Sequence, residues 1–234
     1  MHLFLTNDIS DTIVRIQGEE HHHLSRVVRL RVGDALYVTH GGGDAVEAVI
    51  EEIGQGETRC RVTAMHENFN EPRVPTVLLQ AALKNPGKMD WLVEKGTELG
   101  MTAFVPLLTV RTIAQSVKTD RLQKLAETAT KQCLRGRIPK IHAPISLADA
   151  VQAQAGARLL LFHESAALDA TPESLLLDGR PLALFIGPEG GFSEEEVALL
   201  RGLGADILSL GPRRLRGETA GLAALARING IMTR

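Results

Sequence analysis

The sequence predicts an α/β protein in two parts, a small β-barrel followed by a mostly parallel α/β domain. Three observations carry this expectation. Residues 1–71 read as short strands broken by turns, and residues 72–234 alternate strand and helix patterns. Between them Glu71-Pro72-Arg73-Val74-Pro75, with two prolines and no periodicity, reads as a linker. A chain of 234 residues accommodates two such domains at ~100–200 residues each.

In the first part, Ile13-Val14-Arg15-Ile16 and Ala35-Leu36-Tyr37-Val38-Thr39 have strand composition, and a helix is predicted between them from Glu19 to Leu30. The turn cluster Gly41-Gly42-Gly43-Asp44 precedes the alternating Ala45-Val46-Glu47-Ala48-Val49-Ile50, which marks a hairpin. Arg59-Cys60-Arg61-Val62-Thr63 adds a strand. In the second part, Val77 to Leu83 and Ala103 to Leu108 are strands. Between them Met89, Leu92, Val93 and Leu99 mark one face of a helix that stops at Gly100. Leu122, Leu125, Ala126, Ala129 and Cys133 form the stripe of the next helix. Leu159-Leu160-Leu161-Phe162 and Leu182-Ala183-Leu184-Phe185-Ile186 are continuous apolar runs, as strands buried on both faces require. Ser193-Glu194-Glu195-Glu196 is a capping box that opens a helix to about Leu203. Ile207 to Leu210 is the last strand, and Thr219 to about Ile231 the last helix.

Composition narrows the function classes. Hydrophobic residues at 44% and charged residues at 23% exclude a disordered polyelectrolyte. No apolar run approaches the ~18 residues of a membrane span, and the first residues lack the basic flank and apolar length of a signal peptide. Cys60 and Cys133 form neither a disulfide framework nor a zinc spacing, which fits a reducing cytoplasm. His21, His22 and His23 are consecutive, so they cannot all face one ion, and no metal site is expected. The net charge of −2 hides an uneven distribution: −6 over residues 1–71, +4 over 72–234 and +6 within 111–140. A local field of that kind suits a polyanion more than the sum suggests.

Two glycine-rich loops follow buried strands and invite a ligand. Ile186-Gly187-Pro188-Glu189-Gly190-Gly191-Phe192-Ser193 allows close backbone approach but has neither a P-loop lysine nor the Gly-x-Gly-x-x-Gly order. Leu210-Gly211-Pro212-Arg213-Arg214-Leu215-Arg216-Gly217-Glu218-Thr219-Ala220 places three arginines between a strand and a helix of small residues. Arg213 and Arg214 read as solvated, whereas Arg216 is the functional candidate.

These paired loops resemble the cofactor loops of the SPOUT methyltransferases, and more narrowly the bacterial small-subunit (16S) rRNA uridine-N3 methyltransferase family. Lys88-Met89-Asp90-Trp91-Leu92-Val93-Glu94-Lys95-Gly96-Thr97-Glu98-Leu99-Gly100 and Lys131-Gln132-Cys133-Leu134-Arg135-Gly136-Arg137-Ile138-Pro139 agree with it. So does the segment from His22 to Asp34, and the likeness runs in order over essentially the whole chain. The resemblance implies a PUA-like RNA-binding barrel over 1–71 and a SPOUT domain with a trefoil knot over 72–234. It also implies S-adenosylmethionine as methyl donor, 16S rRNA of the small subunit as substrate, and a homodimer. A sibling enzyme that methylates a ribose 2′-hydroxyl or a tRNA base is the alternative. A ribosome-assembly protein without activity is the alternative of a different class.

By the same resemblance the cofactor lies among three loops. These are Leu161, Phe162 and Glu164; Ile186 with Gly187, Pro188, Glu189, Gly190 and Gly191; and Leu208, Leu210, Gly211, Leu215, Arg216, Thr219 and Ala220. Arg216 would stabilise charge on the uracil oxygens, and Glu218 or water would take the N3 proton. RNA contacts are expected from Arg26, Arg29 and Arg31, from Lys84 and Lys88, and from Lys131, Gln132, Arg135 and Arg137. The chain departs from the family pattern in three places. His2-Leu3-Phe4-Leu5 lacks the usual early arginine, Val110-Arg111-Thr112 keeps only the arginine of an acid-Arg-Ser/Cys segment, and Gly217 replaces a side chain able to hydrogen-bond.

Overall fold

The computed structural model describes residues 1–113, 116–166 and 179–232. Its residues group into two compact units, Met1–Glu71 with Glu127–Ile138, and Pro72–Ala126 with Pro139–Arg234.

In the first unit β1 (Leu3–Leu5), β2 (Ile13–Gln17), β3 (Ala35–Thr39), β4 (Ala45–Ile53) and β5 (Glu57–His66) form one sheet in the order β1-β3-β4-β5-β2. Alternate residues of these strands point inward and are buried, so Phe4, Val14, Ile16, Leu36, Ile50 and Cys60 share one core. Register shifts between Glu47 and Ala48 and between Ile50 and Glu52 interrupt the β4–β5 ladder. Such bulges bend and twist a strand pair, and the expected barrel is accordingly a curled half-barrel with β1 and β2 at its ends.

The helix expected from Glu19 to Leu30 divides. α1 (Gly18–His22) leads into a π-helical turn, His23–Val28, which Arg29 ends at φ 61°. Leu30 N then donates to Leu24 O at 3.1 Å, the closure that a left-handed residue permits at a helix end. Of the three histidines, His21 is buried with Nδ1 2.8 Å from Thr58 Oγ1. Among the described residues no cluster of three or more His, Cys, Asp or Glu is placed to hold a metal.

Residues 127–138 complete this unit. Phe69 N donates to Gly43 O at 2.8 Å, Gly136 N to Phe69 O at 2.8 Å, and Gly43 N to Gly136 O at 3.0 Å. A Cβ on Gly136 would fall 2.1 Å from Gly43 O, so only glycine allows this approach. Beside it the carboxylate of Glu71 takes Arg135 Nη2 at 2.6 Å and the backbone N–H of Arg137 at 2.9 Å. The side chains of Glu71 and Arg135 are each 3% exposed, so the residue expected to open a linker is instead a buried anchor.

The second unit holds a parallel sheet. Its strands are β6 (Thr76–Ala81), β7 (Ala103–Leu108), β8 (Lys140–Ile141), β9 (Ile145–Ser146), β10 (Arg158–Phe162), β11 (Leu182–Ile186) and β12 (Asp206–Leu208). Their order is β12-β10-β11-β6-β7-β8, with β9 also on β7, and every pairing is parallel. The continuous apolar runs are explained by cores on both faces: Leu160, Leu182, Leu184 and Ile186 pack into one, Leu159, Leu161, Ala183 and Phe185 into the other. α2 (Pro86–Glu98) begins at an Asn85 cap whose side chain accepts from Gly87 N, and it buries Met89, Leu92 and Val93 as its spacing predicts. α3 (Thr119–Gln132), α4 (Leu147–Ala153), α5 (Glu194–Gly202) and α6 (Gly217–Met232) complete the set. The capping box on α5 forms as expected, Ser193 Oγ accepting from Glu196 N and Glu196 Oε2 from Ser193 N. No helix among the described residues is long and apolar enough to cross a membrane.

Candidate active site

Strand order reverses where β11 lies beside β6, and open parallel sheets bind ligands outside the carboxyl edge at such a point. There the turns after β10, β11 and β12 and the start of α6 enclose a cavity of about 450 Å³. Phe162, Ile186, Phe192, Leu210 and Leu215 supply its apolar lining, and the turns Gly187–Gly191 and Ser209–Gly211 supply backbone. Its charged lining is mixed, with Lys88, Arg111, Arg213, Arg214 and Arg216 against Glu164 and Glu189.

The glycine turn after β11 is fastened on three sides. Gln80, fully buried at the end of β6, donates Nε2 to Gly187 O at 3.1 Å. Glu189 Oε1 accepts from Lys84 N at 3.2 Å. Arg111, beyond the end of β7, donates Nη1 to Gly190 O at 2.8 Å and to Phe192 O at 3.3 Å, while Val110 N donates to Glu196 Oε1 at 2.9 Å. The turn is thereby shaped before any ligand arrives, which spares that ordering cost on binding. The turn after β12 has its own brace, since Arg227 Nη1 donates to Ser209 O and Gly211 N donates to Ser209 Oγ.

Most of the expected cofactor residues line this cavity: Phe162, Glu164, Ile186, Gly187 to Gly191, Leu210, Gly211, Leu215, Arg216 and Ala220. Leu161 and Leu208 are core residues beneath it, and Thr219 is exposed outside the lining. Of the two candidate catalytic residues, Arg216 lines the cavity and Glu218 does not. Glu218 is buried in the first turn of α6, with Oε1 3.0 Å from Lys88 Nζ and Oε2 without a hydrogen-bond partner. A Cβ on Gly217 would lie 2.7 Å from Leu83 Cδ2, so a side chain there needs only the end of Leu83 to shift. The sequence marked Arg111 only as the arginine kept from a family segment and Phe192 only within its glycine-rich loop, gave no sign of Ser209, and left Arg213 and Arg214 as merely solvated. The arginine cluster was the available signal for the last two.

The expected RNA residues separate. Arg26, Arg29 and Arg31 are exposed in the first unit, as is Gln132, and Lys84 is exposed in the second. Lys88 faces the cavity. Lys131 pairs with Glu20 at 2.5 Å. Arg135 is withdrawn as an RNA contact, because its buried guanidinium is spent on Glu71. Arg137 also reaches Glu71, Nε 3.9 Å from Oε2, but keeps a 38% exposed side chain. The basic run 111–140 is thus no single cationic face: Arg121 also pairs with Asp90 at 2.6 Å, and acids distant in sequence neutralise much of it.

Comparison with known proteins points one way. Residues 70–229 match the family described as RNA methyltransferase domain, and residues 16–63 match the RNA methyltransferase PUA domain. The chain is 33% identical to the Ribosomal RNA small subunit methyltransferase E of Synechocystis sp., over 96% of this chain and 75% of that protein. Among solved structures, a probable rRNA-methyltransferase from Porphyromonas gingivalis is 30% identical with a TM-score of 0.85, covering 100% of this chain and 99% of that one. A Ribosomal RNA small subunit methyltransferase E from Neisseria gonorrhoeae, bound to S-adenosyl methionine, is 25% identical with a TM-score of 0.84, covering 98% and 97%.

Proposed function

The chain belongs to the RNA methyltransferase family, and from that membership we propose that it transfers a methyl group from S-adenosylmethionine to N3 of a uridine in 16S rRNA of the small ribosomal subunit. The observation that carries the reading is the cavity at the carboxyl edge of the parallel sheet, built from turns far apart in sequence. Its residues fit the cofactor. The volume of about 450 Å³ falls within the ~300–1,000 Å³ of small-molecule sites. Glu164 and Glu189 suit the cationic groups of the cofactor, the five lining cations suit its carboxylate and the RNA substrate, and the backbone of the two turns suits the hydrogen-bonding edge of an adenine. When bound, the cofactor supplies an electrophilic methyl group on a sulfonium centre.

The chain's own residues do the remainder. Phe162, Ile186, Leu210 and Leu215 hold and flank the cofactor, and the fastened glycine turn orients it for an in-line approach. Uridine N3 becomes a nucleophile only after losing its proton. Arg216 places a permanent cation where charge spreads onto the uracil carbonyl oxygens. Water suits the proton-acceptor role better than Glu218, which lies off the cavity lining and holds Lys88 at its wall. RNA contacts fall to Arg26, Arg29, Arg31, Gln132 and Arg137 in the first unit, and to Lys84 and Lys88 in the second. Family membership also supports a knotted second domain, a homodimer and a cytoplasmic enzyme.

Calorimetric titration with S-adenosylmethionine tests the enzyme reading against a non-catalytic assembly protein. Saturable binding is expected, and no binding at near-millimolar cofactor would overturn the reading. Reverse transcription then separates the sibling enzymes, since N3 methylation blocks Watson–Crick pairing and stops primer extension at the modified uridine.

A further inference from the structure

We propose that the half-barrel carries a stacking platform for one unpaired RNA base, formed by Tyr37, His66 and Phe69, with Arg137 beside it for the adjoining phosphate; this rests on the RNA reading above. The chain is poor in aromatics, and their placement is selective. Five of its six phenylalanines are buried in cores, whereas Phe69 is partly exposed. The single tyrosine, Tyr37, is also partly exposed and lies against it, ring centroids 4.6 Å apart. His66 completes the group at 5.4 Å from Phe69 and 5.9 Å from Tyr37.

The sheet assembles this cluster by register. Tyr37 pairs with Glu47 across β3 and β4, Glu47 pairs with Ala64, and Ala45 pairs with His66, so all lie on one face. The bulge after Glu47 is what separates His66 from the inward-facing Cys60 and Val62 of the same strand. The hydrogen bonds of Phe69 with Gly43 and Gly136 hold its backbone in place. The Arg137 guanidinium fills the space that a Cβ on Gly43 would take, and Gly43 O accepts from the backbone N–H of Phe69. Two acids adjoin the site: Glu47, 3.7 Å from His66 Nε2, and the buried Glu71, 3.9 Å from Arg137 Nε, which leaves the outer face of that guanidinium for a phosphate. Partly exposed rings near an arginine are a combination by which proteins hold unstacked bases, one π face per base and a cation for the backbone. Packing alone accounts for rings in contact; it does not account for the tyrosine and the only unburied phenylalanine gathering beside a partly exposed arginine.

Affinity for deproteinised 16S rRNA and for the assembled small subunit, measured over a salt series with the full-length protein, tests this. Tyr37→Ala is expected to weaken binding of the rRNA about tenfold or more, with an unchanged salt slope and unchanged S-adenosylmethionine affinity. Tyr37→Trp restores binding, and Arg137→Gln lowers the log–log salt slope by about 0.7–0.9. Wild-type binding by Tyr37→Ala overturns the platform. So does a Tyr37→Trp protein as weak as Tyr37→Ala, or a Tyr37→Ala protein that loses cofactor binding as well. Weakening confined to the assembled subunit would assign the face to a ribosomal protein instead. A wild-type chain that binds neither form sinks the RNA reading itself, and the platform with it.

Discussion

Arg111 and Arg216 both line the cavity, yet their surroundings give them different work. Arg111 spends Nη1 on two carbonyls of the glycine turn, so it shapes the site. Arg111→Ala is therefore expected to raise the dissociation constant for S-adenosylmethionine at least tenfold while kcat at saturating cofactor changes little. Arg111→Lys should fall between, because one ammonium serves two carbonyls poorly. Equal losses in both constants would assign Arg111 to the reaction itself. Arg216 is exposed in the cavity wall, as the proposed contact with substrate requires. Arg216→Ala should keep cofactor binding and lose about 10²–10³ in kcat, the cost of one preorganised donor at developing charge. Full turnover in that variant would remove it from the mechanism. At this scale Arg216 was legible as a cavity residue, an arginine flanked by Leu215 and Gly217 in a loop after a buried strand. Arg111 was not legible as a clamp. Its partners are backbone carbonyls 79 and 81 residues away, and no local pattern announces such a contact.

Elements became legible where one local rule decided them. β10 and β11 were readable because both faces are buried, and the start of α5 because its capping box satisfies two backbone donors within four residues. β8 and β9 have two residues each and no periodicity, so only their pairing with β7 defines them. The helix after β2 misled because its apolar spacing continues while Arg29 turns left-handed. The unit boundary falls within the expected linker, at Glu71 and Pro72, but Glu71 itself is tied into the first unit by a partner, Arg135, 64 residues away. Glu71→Ala is expected to destabilise the first unit by about 3–5 kcal/mol, since it strands a buried guanidinium. Urea unfolding checks this, and a change near zero would show that the pair is not buried in solution. Replacing both partners with apolar residues should cost less than either single change.

At the scale of the molecule, net charge proved a poor guide and charge placement a partial one. The basic excess over residues 111–140 suggested one RNA face, but folding pairs Arg121, Lys131 and Arg135 with acids from other segments. The surviving exposed cations are fewer and more dispersed than the sequence implied. The two cysteines report on the fold as a whole. Burial, reinforced by the charge of Glu51, pushes the Cys60 thiol up to about 12, whereas Cys133 is partly exposed. Alkylation of native protein should label Cys133 alone, with Cys60 reacting only in denaturant, because thiolate is the reactive form. Equal labelling of both in native protein would contradict the core described for the half-barrel.

One cavity should give one product. Purified protein, S-adenosylmethionine and small subunits that lack the modification should yield a single new methylated nucleoside, read by mass spectrometry of the digested 16S rRNA. N3-methyluridine is the expected product, absent with the Arg216→Ala variant over the same interval. A ribose 2′-O-methyl nucleoside, or no methylated nucleoside from protein that binds the cofactor, would contradict it.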